Sequence, residues 1–180
     1  IVVLLIAAFV INAFQQHRAR QEQEKRNELS KYRNLIDETE NVISACASMP
    51  VSPRLIQILN DRVLTGLKGM AELGAANSDI KKRISEAEQQ KNGTMSLDNG
   101  PTNEFVLPDN DKLIIQYIQA VKKLRILLRS ELSKGRLNNK TFAEEDKILE
   151  RLQLKVNVET LVKRGRTAMQ SGMLGSARQY

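Results

Sequence analysis

The first fourteen residues constrain this chain more than any other stretch. Residues 1–14 (IVVLLIAAFVINAF) contain one polar residue, Asn12, and the twenty residues after them are largely polar and charged. The apolar run is shorter than the roughly 20 residues a helix needs to cross a bilayer. The sequence opens on Ile1 rather than Met, so we expect a transmembrane span whose start lies upstream. A secretory signal would have a similar apolar part, but no small-x-small cleavage pattern precedes the polar stretch. A buried helix of a soluble core would not be followed by so abrupt a change to polar residues. Asn12, near the end of the span, fits the membrane interface, or a hydrogen bond to a neighbouring membrane helix.

Arg18 and Arg20 lie within a turn of the apolar edge, the membrane-edge position where positive residues stay cytoplasmic. The domain that follows is therefore expected to face the cytoplasm. His17, the one histidine, falls at the same edge as an interfacial residue. The formal net charge is +7, which favours anionic partners such as lipid headgroups, nucleic acid or acidic proteins. The one cysteine, Cys46, can form neither an intramolecular disulfide nor a metal site.

Charged residues make up 27% of the chain and aromatics 4%, with no Trp, a mix that suits helices and not a β-sandwich. The apolar pattern agrees. Leu29, Tyr32, Ile36, Ile43 and Cys46, widened by Leu35 and Val42, make one helical stripe, so a single helix is expected from the anchor to about Ala47. On that stripe Cys46 reads as packed core and not as a nucleophile. Ser52-Pro53 opens the next helix as N-cap and first-turn proline. Leu55, Leu59, Val63, Leu67 and Met70 form its buried face, and Gly74 stops it. Asn77 or Ser78 caps a shorter helix with Ile80, Ile84 and Ala87 inward, making a helical hairpin. Residues 91–103 (KNGTMSLDNGPTN) read as a mobile loop, and Phe105-Val106-Leu107 as an apolar staple for the helix after it.

That helix is expected over residues 109–134, with Leu113, Tyr117, Val121, Leu124, Leu128 and Leu132 on one face, Ile114 and Ile118 beside them, and Gly135 as its stop. Thr141 to Glu144 has the spacing of a capping box. The last long helix then carries Ile148, Leu149, Leu152, Val156, Leu161 and Val162. The segments are 1–14 anchor, 15–49 juxtamembrane helical stalk, 50–91 hairpin, 92–108 loop and 109–180 helical domain.

At the C-terminus Leu161, Gly165, Ala168, Gly172, Leu174, Ala177 and Tyr180 stand at spacings that resemble one tetratricopeptide (TPR) repeat. The resemblance implies that Gly165 allows close helix approach, Gly172 supplies a left-handed turn residue, and Ala177 lets a second helix pack tightly. One repeat cannot bury its own apolar face, and the motif stops before its second helix is complete, so a continuing chain is expected. The expected fold class is thus all-α, with a transmembrane helix continuing into a stalk, then helical hairpins and a TPR-like end.

No Gly-rich phosphate loop, His/Cys metal spacing or Ser-x-x-Lys pair is present in the sequence. The acidic cluster Glu144-Glu145-Asp146 is explained by a helix N-terminal dipole. Catalysis and cofactors are accordingly not expected. The reading is a membrane-tethered adaptor, or an accessory subunit of a membrane assembly, that binds protein partners. The alternative is a basic surface for anionic lipid or, less favoured, nucleic acid, with Lys122, Lys123, Arg125 and Arg129 as candidate contacts. Stacking aromatics are nearly absent near that charge, which argues against single-stranded nucleic acid.

Overall fold

The computed structural model describes residues 2–47, 49–93, 105–108 and 110–180, with side chains described for 11–47, 49–89, 105–108 and 110–180. All the regular structure among them is helical: α1 Val2–Cys46, α2 Pro53–Met70, α3 Ser78–Gly93, α4 Asp111–Ser133, α5 Asn139–Gln170 and the short α6 Leu174–Ala177. A π-helical turn, Ala71–Ala75, continues α2. The loop expected at 91–103 falls, from residue 94 onward, outside the described residues. No helix among the described residues is long and apolar enough to cross a membrane. Most of the run 1–14, on which the anchor reading rests, lies outside the residues whose side chains are described.

The helices form two compact units, Ile1–Thr39 with Asn60–Met95 and Glu40–Leu59 with Ser96–Tyr180. The boundaries between them fall within α1 and α2.

In the first unit α1 is exposed over residues 15–27, a length of about 20 Å at the helical rise. Arg18 places its guanidinium 5.4 Å from the centre of the Phe14 ring, and both Arg18 and Arg20 are exposed. Lower down, α1 meets α2 through two glycines. A Cβ on Gly66 would come within 2.8 Å of Ile36 Cγ1, and one on Gly69 within 2.5 Å of the Tyr32 ring. Glycine at these two positions therefore sets how closely the helices approach. Thr39, fully buried, donates to the Leu35 carbonyl at 2.6 Å and accepts from Arg62 Nε at 3.0 Å. Gly74, at φ +89°, ends the α2 run, and Asn77 Oδ1 accepts from the Ile80 N–H to start α3. Lys68 and Glu88, 2.7 Å apart, link the two arms of the hairpin.

The second unit has one core. Val42 and Cys46 of α1, Leu55 and Leu59 of α2, Tyr117, Val121, Leu124 and Leu128 of α4, and Leu149, Leu152 and Val156 of α5 are buried together. Phe105 packs edge-on to Tyr117 at 5.8 Å, so the apolar patch does meet α4, but further from the Asn110 cap on both sides than a staple would. Ser52 Oγ accepts from the Leu55 N–H at 3.0 Å and donates to buried Glu145 at 2.5 Å.

Three local expectations are corrected. The buried face of α4 is rotated toward Ile114, whereas Leu113 is exposed and Leu132 half-exposed. The cap of α5 is Asn138, whose Oδ1 accepts from the Thr141 N–H at 2.6 Å. Thr141 thus lies inside the first turn and forms no capping box, in keeping with the stronger N-cap preference of Asn over Thr. On α5 the buried face ends in Thr160, and Leu161 and Val162 are exposed.

A bulky residue at Gly66 should wedge α1 and α2 apart. Gly66→Leu is expected to destabilise the chain by about 3 kcal/mol, the upper range for overpacking, read as a lower urea midpoint by circular dichroism. An unchanged midpoint would refute the close approach.

Candidate functional site

The candidate cations on α4 do not behave alike. Arg125 donates from Nε and Nη2 to the two carboxylate oxygens of Asp146, at 2.7 and 3.0 Å, and from Nη1 to Gln153 at 3.2 Å. Such a bidentate pair uses most of the guanidinium's donors. Arg125, a candidate anion contact in the sequence, thus bridges α4 and α5. Its hydrogen bond holds the Asp146 carboxyl below its ordinary value; burial opposes this, and the charges of Arg125 and Arg129 assist. Lys122, Lys123 and Arg129 are exposed. Lys122 and Arg129 are seven residues apart and so share a strip, alongside exposed Ile126.

The acidic cluster also has partners that its sequence position does not reveal. Because α5 begins at Asn139, Glu144, Glu145 and Asp146 lie beyond the first turn. Glu144 takes a hydrogen bond from Arg54 at 2.8 Å, Glu145 from Ser52, and Asp146 from Arg125. Cross-helix pairing, not the helix dipole, accounts for the three acids.

Cys46 and Tyr117 are polar groups within the apolar core. Burial pushes the Cys46 thiol up to about 12. The Tyr117 phenol is also raised, by burial and then by Cys46, so neither ionises near neutral pH.

The C-terminal residues are placed as follows. Gly172, at φ +71°, ends α5, with the Met173 N–H on the Ala168 carbonyl at 2.9 Å and the Gly172 N–H on Met169 at 3.1 Å. That is the paired pattern of a Schellman stop. α6 then returns along α5, and a Cβ on Gly165 would meet Tyr180 Cβ at 3.6 Å, an ordinary contact. Ala168 is buried and Ala177 half-buried, whereas Leu161 and Leu174 are exposed.

Sequence reasoning passed over Leu154 and Val158 and named Leu161 and Val162 without reading them as an open face of α5. Leu154, Val158, Leu161 and Val162 are 64, 49, 43 and 46% exposed, while Leu149, Leu152 and Val156 of the same helix fill the core. The spacing of Leu154, Val158 and Leu161 was the available signal. It was hidden because the helix carries a second apolar stripe.

No protein-family model, curated protein or solved structure matches this chain.

The Arg125–Asp146 pair has a pH signature. Because the folded carboxyl is held low, its contribution is complete above about pH 4, the ordinary Asp value, and is lost as pH falls through the lowered value. Asp146→Asn is expected to cost about 2 kcal/mol at neutral pH, as for hydrogen bonds to charged groups. It should also flatten the loss of urea stability in acid. Parallel acid limbs for variant and parent would show that the pair does not couple to folding.

Proposed function

We propose that this chain is a membrane-tethered helical adaptor, or an accessory subunit of a membrane assembly, that acts by binding protein partners and not by catalysis. The observation that carries the interaction part is the open face of α5, with Leu154, Val158, Leu161 and Val162 exposed on a helix whose opposite side already lies in the core. Grouped exposed apolar residues, unlike ones scattered singly, mark interaction surfaces. The tether rests on the sequence of residues 1–14, and Arg18 and Arg20 beside it favour a cytoplasmic domain. The TPR-like spacing at the C-terminus agrees with a protein-binding role.

The alternative, a surface for anionic lipid or nucleic acid, draws on exposed Lys122, Lys123 and Arg129. It is weaker because Arg125 is committed to Asp146 and apolar Ile126 lies on the same exposed side of α4.

The test is affinity capture of the full chain from membranes in mild detergent at low and high salt, with mass spectrometry. Protein partners are expected to persist at high salt, because apolar contacts are not screened. Reversing Lys122, Lys123 and Arg129 should leave them in place. Loss of all protein partners with salt, with nucleic acid or anionic lipid recovered only at low salt, would replace the adaptor reading with the polyanion one. The chain should also stay with membranes through alkaline carbonate extraction, and its release would remove the tether.

A further inference from the structure

The open face of α5 has a finer pattern than exposure alone. Leu154, Val158, Leu161 and Gly165 follow at intervals of four, three and four residues. That alternation is the spacing by which one helix receives another, knobs into holes. The stripe does not belong to the core of its own unit, which takes Leu149, Leu152 and Val156 from α5. It is also already used at one end. The chain's own Tyr180 lies against Gly165, and Ala168 is buried one turn further on. The open positions Leu154, Val158 and Leu161 thus continue a face that has begun to receive chain.

The flanks of the stripe are basic. From residue 151 to residue 166 the sequence has five basic residues and one acid, Glu159. Exposed Arg164 lies beside the stripe and exposed Arg151 stands one turn before Leu154, while Lys155, also exposed, rests its ammonium 5.1 Å from the centre of the Phe105 ring. We infer that the Leu154–Val158–Leu161 stripe of α5 docks an amphipathic helix of a partner protein, one with apolar seam residues and acidic flanks.

This deepens the adaptor reading and rests on it, since it names the kind of partner. A second copy of this chain fits less well, because it would bring two basic flanks together. A bilayer surface asks for a broad face of large apolar residues, Trp and Phe among them. The open residues of α5 instead are Leu, Val and Met, with no Trp or Phe among them.

The test uses the full chain and a labelled synthetic helix of about three heptads, with Leu at the seam and Glu on the flanks. A control helix carries Lys on the flanks. Fluorescence anisotropy is expected to show the acidic helix binding at least about ten-fold tighter than the basic one, as complementary charge at an interface allows. Leu161→Glu should weaken the acidic helix by about ten-fold or more, as loss of an interface anchor does. Leu161 is exposed, so this variant should keep the parent's helicity and urea midpoint. Lys155→Glu with Arg164→Glu should reverse the preference toward the basic helix, a gain that mere unfolding would not give.

Equal binding of the two helices, no binding of either, or acidic-helix binding untouched by Leu161→Glu overturns the inference. So does self-association of the chain, or binding to phosphatidylserine vesicles, that Leu161→Glu abolishes while neither helix binds. In each of these cases partners captured at high salt would still stand, so the adaptor reading would survive. Conversely, an empty capture alongside tight acidic-helix binding would keep the docking site and remove the adaptor.

Discussion

The second unit depends on one hydroxyl group. Ser52 precedes Pro53 at the head of α2, and its hydroxyl oxygen shares the Leu55 N–H with its own backbone carbonyl, while its proton goes to the buried carboxylate of Glu145, ninety-three residues away in sequence. The bond to Glu145 matters more, because a buried carboxylate without a donor carries the full desolvation cost of a charge. By serving both, Ser52 fixes where α2 begins against the second turn of α5. Arg54 reinforces the same junction, reaching Thr141 at 2.7 Å and Glu144 at 2.8 Å. The apolar core then fills from Leu55 and Leu59 toward Leu124, Leu128 and Leu149.

What the sequence discloses about such a structure follows from the range of the forces involved. The start of α2 at Ser52-Pro53, and the stops at Gly74, Gly135 and Gly172, were legible because each is decided within one turn of backbone. At Gly135 the Arg136 N–H reaches the Glu131 carbonyl at 3.0 Å and the Gly135 N–H reaches Leu132 at 2.9 Å. No distant residue is needed to close that helix. Burial is different, because the partner chooses the face. Leu113 and Ile114 are equally apolar, and only the position of the rest of the unit selects Ile114 for the core. The same holds for Ile43 and Val42 on α1, of which Val42 is the buried one.

Charges were the least legible part. Arg125 looks in sequence like one of a run of basic residues on a solvated face, yet its partner, Asp146, is twenty-one residues away on another helix. The three acids of α5 were assigned to a helix dipole that acts on the first turn only. Once Asn138 takes the cap, they fall beyond its reach. Local rules assign a charge to the nearest cause, whereas half-buried charges are held by whichever opposite group the packing brings within hydrogen-bonding distance.

α5 shows how one helix can hold fold and recognition apart. Its core stripe, through Leu149, Leu152 and Val156, and its open stripe, through Leu154, Val158 and Leu161, occupy different sides of the same cylinder. One neighbour cannot cover both, because a packed helix covers only a limited arc of another's surface. The core stripe takes the neighbours that complete the unit, so the open stripe is left for something else. Full burial of a Leu or Val is worth about 1.5–3 kcal/mol, and Leu154, Val158 and Leu161 are already partly covered, so three such positions give too little for tight binding once ordering costs are met. Selection must therefore come largely from the charged rim. Lys155 and Arg164 beside the seam repel a basic helix as firmly as they favour an acidic one, and discrimination of this kind needs the repulsion as much as the attraction. A modest apolar seam between basic flanks suits a contact that is selective before it is strong.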